Sequence, residues 1–150
     1  MVSDKKKIHL ILGSGVNRDN FKFKRIKSKS PIKVTFIGRI IREKGIIEFL
    51  KAIIKFNKIY PNRIIFTIIG SKYDNNSKFN TFFSHLLKLS KATYINQTSN
   101  IYKFIVNSHF VILPSYREGL SKVLLESLTV GRPIIASSVP GCMELIKNNH

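Results

Sequence analysis

The feature that most constrains this chain is an alternation. Short apolar, largely β-branched runs recur at Ile8–Leu12, Ile32–Ile37, Ile64–Ile69, Ala92–Ile95, His109–Leu113 and Pro133–Ala136, and the segments between them carry helical spacing. Runs of this length that are apolar throughout, rather than every second residue, predict strands covered on both faces. Between them, Ile46, Leu50, Ile53 and Ile54 form one helical stripe, with Lys51, Lys55 and Lys58 mostly opposite. Phe79, Phe82, Phe83, Leu86 and Leu87 form a second, Ile101, Phe104 and Ile105 a third, and Leu120, Leu124 and Leu128 a fourth. Ser99 and Ser121 are the expected N-caps, with Gly131 and Pro133 ending the fourth helix. Strand–helix–strand alternation implies a mostly parallel sheet with right-handed crossovers. The expected fold is α/β, a doubly wound Rossmann-like sheet forming one domain over residues 1–150. In such a sheet a ligand binds at the carboxyl ends of the strands, where strand order reverses. The loops after Ile37, Ile69, Ile95 and Leu113 are therefore the ones to inspect.

Composition narrows the class. A chain of 150 residues buries roughly 70% of its unfolded surface, enough for a core without staples. Hydrophobic residues at 43% and charged residues at 23% argue against disorder. The single cysteine, Cys142, excludes an internal disulfide framework. No apolar run approaches the ~18 residues of a membrane span, and the stretch after Met1 is too short for a signal-peptide core. The chain is expected to work in the cytoplasm. Lysine and arginine number 26 against 8 acids, a net charge of +18. Such a charge favours anionic partners such as nucleotides, nucleic acid or acidic lipid. A compositional bias toward Lys, Asn and Ile would produce the same charge, so charge alone selects no function.

Two loops carry candidate chemistry. The first runs Gly38-Arg39-Ile40-Ile41-Arg42-Glu43-Lys44-Gly45 between a strand and a helix. A helix N-terminus offers unpaired amides and partial positive charge to a phosphate, and Arg39 and Lys44 add formal charge there. The spacing is not that of a Walker loop, and a plain solvated loop is the competing reading. The second runs Leu113-Pro114-Ser115-Tyr116-Arg117-Glu118-Gly119-Leu120-Ser121-Lys122 and leads into Val123-Leu124-Leu125-Glu126. The amides of Gly119, Leu120 and Ser121 are placed to form an anion-binding nest. Glu118 beside it suits a sugar hydroxyl, and Glu126 a ribose diol. The competing reading makes Glu118 a helix-dipole partner and Glu126 a surface residue. A third loop, Gly13-Ser14-Gly15-Val16-Asn17, resembles part of a dinucleotide fingerprint, but lacks its third glycine.

Taken in order, these blocks resemble the C-terminal, donor-binding half of a GT-B glycosyltransferase, most similar to family-4 retaining enzymes. Carrying the resemblance are Gly13–Asn17, Phe36-Ile37-Gly38-Arg39 with Glu43-Lys44-Gly45, and Leu113–Gly119 with Glu118 and Glu126 separated by seven residues. Gly131-Arg132-Pro133-Ile134-Ile135-Ala136-Ser137 and Val139-Pro140-Gly141-Cys142-Met143-Glu144-Leu145-Ile146 complete it. The last block is similar to bacterial enzymes of lipopolysaccharide, capsule or lipid-linked oligosaccharide synthesis. The resemblance implies that Arg39 and Lys44 grip the donor diphosphate, that Glu118 holds the sugar, and that these three are the catalytic residues. It implies donor binding by Gly38, Asn96, Gln97, Ser115, Gly119, Leu120, Ser121 and Glu126, with base contacts around Asn96 and Gln97. Where the family often has a glycine, this chain has Asn96, and Asn100 stands near a usually acidic position. The resemblance further implies no bound metal and no cofactor other than the donor, a nucleotide-diphosphate sugar expected to be a UDP-sugar.

The activity implied is retaining transfer of a hexosyl or N-acetylhexosaminyl group to a polysaccharide or lipid-linked acceptor. Expected partners are the nucleotide sugar, an acceptor-domain subunit and the anionic inner face of a membrane, and not nucleic acid. A GT-B enzyme has two doubly wound domains, and this sequence carries one, stopping at Lys147-Asn148-Asn149-His150. It is therefore expected to be a fragment, a split subunit or a decayed gene product, inactive alone. A non-catalytic nucleotide-sugar-binding remnant and a basic nucleic-acid-binding protein are the alternatives.

Overall fold

The computed structural model describes residues 15–26, 31–72 and 76–146. The expected strand Ile8–Leu12, Gly13, Ser14 and the terminal Lys147–His150 lie outside the described residues. The other five apolar runs are all strands: β1 Ile32–Ile37, β2 Ile64–Ile69, β3 Thr93–Ile95, β4 Phe110–Leu113 and β5 Ile134–Ala136. They form one sheet in the order β3-β2-β1-β4-β5, parallel throughout. The chain moves outward from β1 through β2 to β3, then crosses back so that β4 lies on the other side of β1. The reversal of strand order thus falls between β1 and β4, flanked by the loops after Ile37 and Leu113.

Both sheet faces are covered, as mostly apolar runs without alternation require. Phe36 and Ile68 pack in one cluster with Leu50, Phe83 and Leu124. Their chain neighbours Ile37 and Ile69 point the other way, into a second cluster with Ile105, Val111 and Val130, because successive strand side chains alternate faces. Helices α1 (Ile46–Ile59) and α2 (Ser77–Ser90) contribute to the first cluster, α3 (Ile101–Val106) to the second, and α4 (Lys122–Thr129) to the first. The short α5 (Pro140–Met143) adds Cys142 to the first. Among the described residues no helix is long and apolar enough to cross a membrane.

Three local expectations are corrected. Asn100, not Ser99, caps α3, its side chain accepting from the Lys103 amide at 3.1 Å. An amide oxygen one residue nearer the helix reaches that donor, and Ser99 does not. Phe82 belongs to the α2 stripe by spacing but is 43% exposed. The fourth stripe fails because α4 begins at Lys122, after Leu120, and its buried residues are Leu124, Glu126 and Ser127. At about 100° per residue, Leu124 stands at one edge of an arc centred near Ser127. Leu128, roughly 40° farther round, falls outside it and is exposed. Ser121 does occupy the N-cap position of α4, without a side-chain cap bond. Gly131, with φ of 79°, follows the end of that helix.

Arg132 fastens the segment before the sheet. Its guanidinium is buried and donates to the carbonyls of Lys24 at 2.6 Å, Val106 at 2.9 Å and Gly131 at 3.1 Å. Phe21 meets Tyr102 edge to face, and the Tyr102 hydroxyl donates to the Lys22 carbonyl at 3.3 Å. Residues 21–24 are thereby held to α3 and to the end of α4.

Candidate functional site

The loops on either side of the strand reversal are joined by backbone and side chain. After β1 the chain makes a 3-10 turn, Arg42–Lys44, closed by Gly45 at φ 67°, whose amide donates to the Arg42 carbonyl at 2.9 Å. This left-handed position favours glycine. A second constraint acts at the same residue, because a Cβ on Gly45 would overlap the Pro114 carbonyl. The backbone of the β1 loop can therefore lie directly against the β4 loop. The Tyr116 amide completes the join by donating to the Glu43 carbonyl at 2.8 Å.

This join brings Lys44 to Glu118. The ammonium donates to Glu118 Oε1 at 2.5 Å, and the buried Ser115 hydroxyl donates to the same oxygen at 2.7 Å. The two charged side chains are 18% and 9% exposed, so the pair is shielded but open on one side. Glu118 is thus oriented by two donors from two different loops, which restricts its rotamer before any ligand arrives.

Lys44 and Glu118 line one cleft of about 310 Å³ together with Gly38, Arg39, Leu120, Ser121 and Glu126. Among the described residues, the amides of Gly119, Leu120 and Ser121 donate to no backbone carbonyl. The first-turn amides of α4 also have no partner within the helix. A Cβ on Gly119 would meet nothing within 4 Å, so packing does not require glycine there. On the far side, a Cβ on Gly141 would overlap the Gly119 carbonyl. The start of α5 therefore backs this loop at backbone contact distance.

Glu126 is buried, 8% exposed, and lines the cleft. The reading that made it a surface residue is overturned. Burial raises the pKa of its carboxyl, with Lys122 pulling weakly the other way. Burial also raises the Cys142 thiol, behind the loop, and Glu118 adds to that rise.

Most of the expected site residues meet here, but not all. Gly38, Arg39, Lys44, Glu118, Leu120, Ser121 and Glu126 line the cleft, while Ser115 and Gly119 stand immediately behind it. Asn96 and Gln97 do not line it. They follow the edge strand β3, two strands from β1, at the same end of the sheet. Asn96 Oδ1 accepts from the Tyr94 hydroxyl at 3.1 Å, which also points at the Gly70 carbonyl. Sequence reasoning missed Tyr116, whose amide joins the two loops and whose ring is 54% exposed. An aromatic between Ser115 and Glu118 in the second loop was the available signal.

A cleft at a strand-order reversal, with cations, a helix N-terminus and two carboxylates, can hold an anion bearing hydroxyl groups. The comparisons with known proteins agree in fold and family. A family model described as "Glycosyl transferases group 1" matches residues 17–150. The N,N'-diacetylbacillosaminyl-diphospho-undecaprenol alpha-1,3-N-acetylgalactosaminyltransferase of Campylobacter jejuni is 30% identical over 120 residues, 80% of this chain. This chain spans about 30% of that relative's length. Among solved structures, the C-terminal domain of a group 1 family glycosyl transferase (LpcC) from Francisella tularensis superposes with a TM-score of 0.75. That match is at 22% identity and covers 89% of this chain and 76% of that one. Anabaena HepE, solved with UDP and glucose, gives a TM-score of 0.71 at 15% identity, covering 91% of this chain and 40% of that one. The chain belongs to the group 1 glycosyl transferases and has the fold of the C-terminal domain of a GT-B enzyme.

Proposed function

We propose that this chain is the donor-binding domain of a retaining, family-4-like glycosyltransferase that takes a nucleotide-diphosphate sugar. The observation that carries the reading is Lys44, held against Glu118 in the cleft between the loops after β1 and β4. In this reading Arg39 and Lys44 meet the diphosphate, and the amides at Gly119–Ser121 add partial positive charge. As the bond from the anomeric carbon to the leaving diphosphate breaks, negative charge develops where these groups stand, and they stabilise it. Glu118 accepts from sugar hydroxyls, and Glu126 accepts from the ribose diol. Asn96 and Gln97 are assigned to the base. A UDP-sugar is the proposed donor, supported by the fold shared with a protein solved with UDP and glucose. The group transferred is a hexose or N-acetylhexosamine. The proposed acceptor is a polysaccharide precursor or lipid-linked oligosaccharide, supported by the relative whose name specifies a diphospho-undecaprenol carrier.

The described residues form one doubly wound sheet, which supplies the donor wall. Transfer also requires an acceptor held in line with the anomeric carbon. That wall is assigned to a second domain, in the same polypeptide or in a partner. The 150-residue chain should therefore bind UDP-sugars in a calorimetric titration. Mixed with a donor and a lipid-linked acceptor, it should form no glycosidic product. Sustained product formation by chain purified away from host transferases would overturn the division of labour.

A further inference from the structure

The loop that carries Glu118 has a second side. Ser115 and Glu118 bond to each other beside the cleft, whereas Tyr116 and Arg117 line a separate groove of about 470 Å³ with Arg42, Lys51 and Phe82. A neighbouring groove of similar size shares Phe82 and adds Lys78 and His85. The two make one continuous face over the N-terminal halves of α1 and α2. Two large apolar side chains stand out on it, Tyr116 at 54% and Phe82 at 43% exposure. Exposed cations surround them: Arg42, Lys51, Lys78 and Arg117. The acids on this face are Glu43 and Glu48, and Glu48 beside Tyr116 raises the pKa of its hydroxyl.

Aromatic rings set among lysines and arginines suit an interface that is apolar inside and anionic outside. Rings of this kind sit at the headgroup level of a bilayer, and basic side chains take lipid phosphates. A duplex nucleic acid would use the cations, but its bases are already stacked and leave no apolar layer for Phe82. We propose that this face seats on an anionic phospholipid surface, with Phe82 and Tyr116 entering the headgroup region and the four cations on lipid phosphates. The inference rests on the reading that the acceptor is lipid-linked. Seating this face brings the cleft, on the other side of the same loop, to the surface where such an acceptor is anchored.

The test uses the full chain and vesicles of phosphatidylcholine with or without phosphatidylglycerol. The sequence contains no tryptophan, so Phe82→Trp introduces a single reporter, and Phe23→Trp, at a position 71% exposed on residues 21–24, is the control. With anionic vesicles carrying brominated acyl chains, Phe82→Trp emission should shift to shorter wavelength and be quenched, while Phe23→Trp should not change. Each surface lysine contributes about fivefold in membrane affinity. The double variant Lys51→Gln/Lys78→Gln should therefore lose roughly 25-fold. The charge-matched Arg63→Gln/Lys103→Gln should lose less than about threefold. Equal losses in the two pairs would mean that net charge alone attracts the chain, and would overturn the proposal. So would quenching at Phe23→Trp rather than Phe82→Trp, or equal binding to vesicles without phosphatidylglycerol. UDP titration of the same samples separates the two readings. Loss of vesicle binding with UDP binding intact sinks this face alone, which would then suit a protein partner. Vesicle binding through Phe82 without any UDP binding sinks the donor reading and leaves this face standing.

Discussion

Glu126 shows at the residue scale how much a position's meaning depends on where its helix lies. Read along the chain, it is one of 8 acids in a basic sequence. In the fold it is buried on α4 against the cleft, and burial raises its pKa. In the unfolded chain the same carboxyl ionises near its ordinary value, about 4.3. The folded state therefore keeps its proton to higher pH than the unfolded state. Between the two pKa values the native state binds more protons, so stability falls as pH rises through that window. Glu126→Gln removes the penalty of burying the charge. It should unfold at higher temperature than the parent at pH 7, with the difference vanishing below about pH 4. Thermal unfolding at both pH values checks this, and an equal difference at both would contradict the burial account. The sequence made Glu126 a candidate through its spacing from Glu118, but could not show that it is buried. That property follows from the roughly 80° between the centre of the true inner arc of α4 and the leucine stripe. Ser115 is similar. Its place in the second loop was legible, while its bond to Glu118 needed the folded loop.

At the scale of elements, the strands were the most legible part. An apolar run of four to six residues, bounded by turns, marks a doubly covered strand nearly to the residue, and β1 and β2 begin and end where their runs do. Helix faces were less legible wherever a helix is short. Six residues in α3 and eight in α4 give barely two turns over which to phase a stripe. Contacts between loops were not legible at all, because they join residues far apart in sequence. Gly141 is the clearest case. In sequence it only follows Pro140, but its role is set by the Gly119 carbonyl that its missing side chain admits. Gly141→Ala should force α5 or the Glu118–Gly119 loop to shift, lowering stability by about 1–3 kcal/mol. Gly119→Ala, whose Cβ would meet nothing, should stay within about 0.5 kcal/mol of the parent. Urea unfolding of the two variants makes the comparison, and matching stabilities would show that α5 does not brace the loop.

For the whole molecule, the order β3-β2-β1-β4-β5 determines where chemistry can gather. The site combines Lys44 and Glu118, 74 positions apart, because β4 returns to the free side of β1 and their loops then share one edge. The sequence supplied the two loops. The strand order supplied the reason that they meet, and also the reason that Asn96 and Gln97, beyond β2, stand apart from the cleft. The charge of +18 complicates any binding measurement, since a basic chain attracts polyanions without a site. The central claim is that this cleft recognises a nucleoside diphosphate through distinct phosphate and ribose contacts, and it calls for a measurement insensitive to overall charge.

Calorimetric titration of UDP and of inorganic pyrophosphate into the parent, Arg39→Ala, Glu126→Ala and Lys88→Ala provides that measurement. Arg39→Ala should weaken both ligands. Glu126→Ala should weaken UDP by about 10-fold to 100-fold, the loss of a charge-assisted hydrogen bond. It should leave pyrophosphate bound as well or better, since a nearby negative charge has gone. Lys88→Ala, on the exposed side of α2, should change neither ligand beyond what screening allows. If Glu126→Ala and Arg39→Ala instead shift UDP and pyrophosphate in parallel, there is no separate ribose contact and the cleft is only a basic surface.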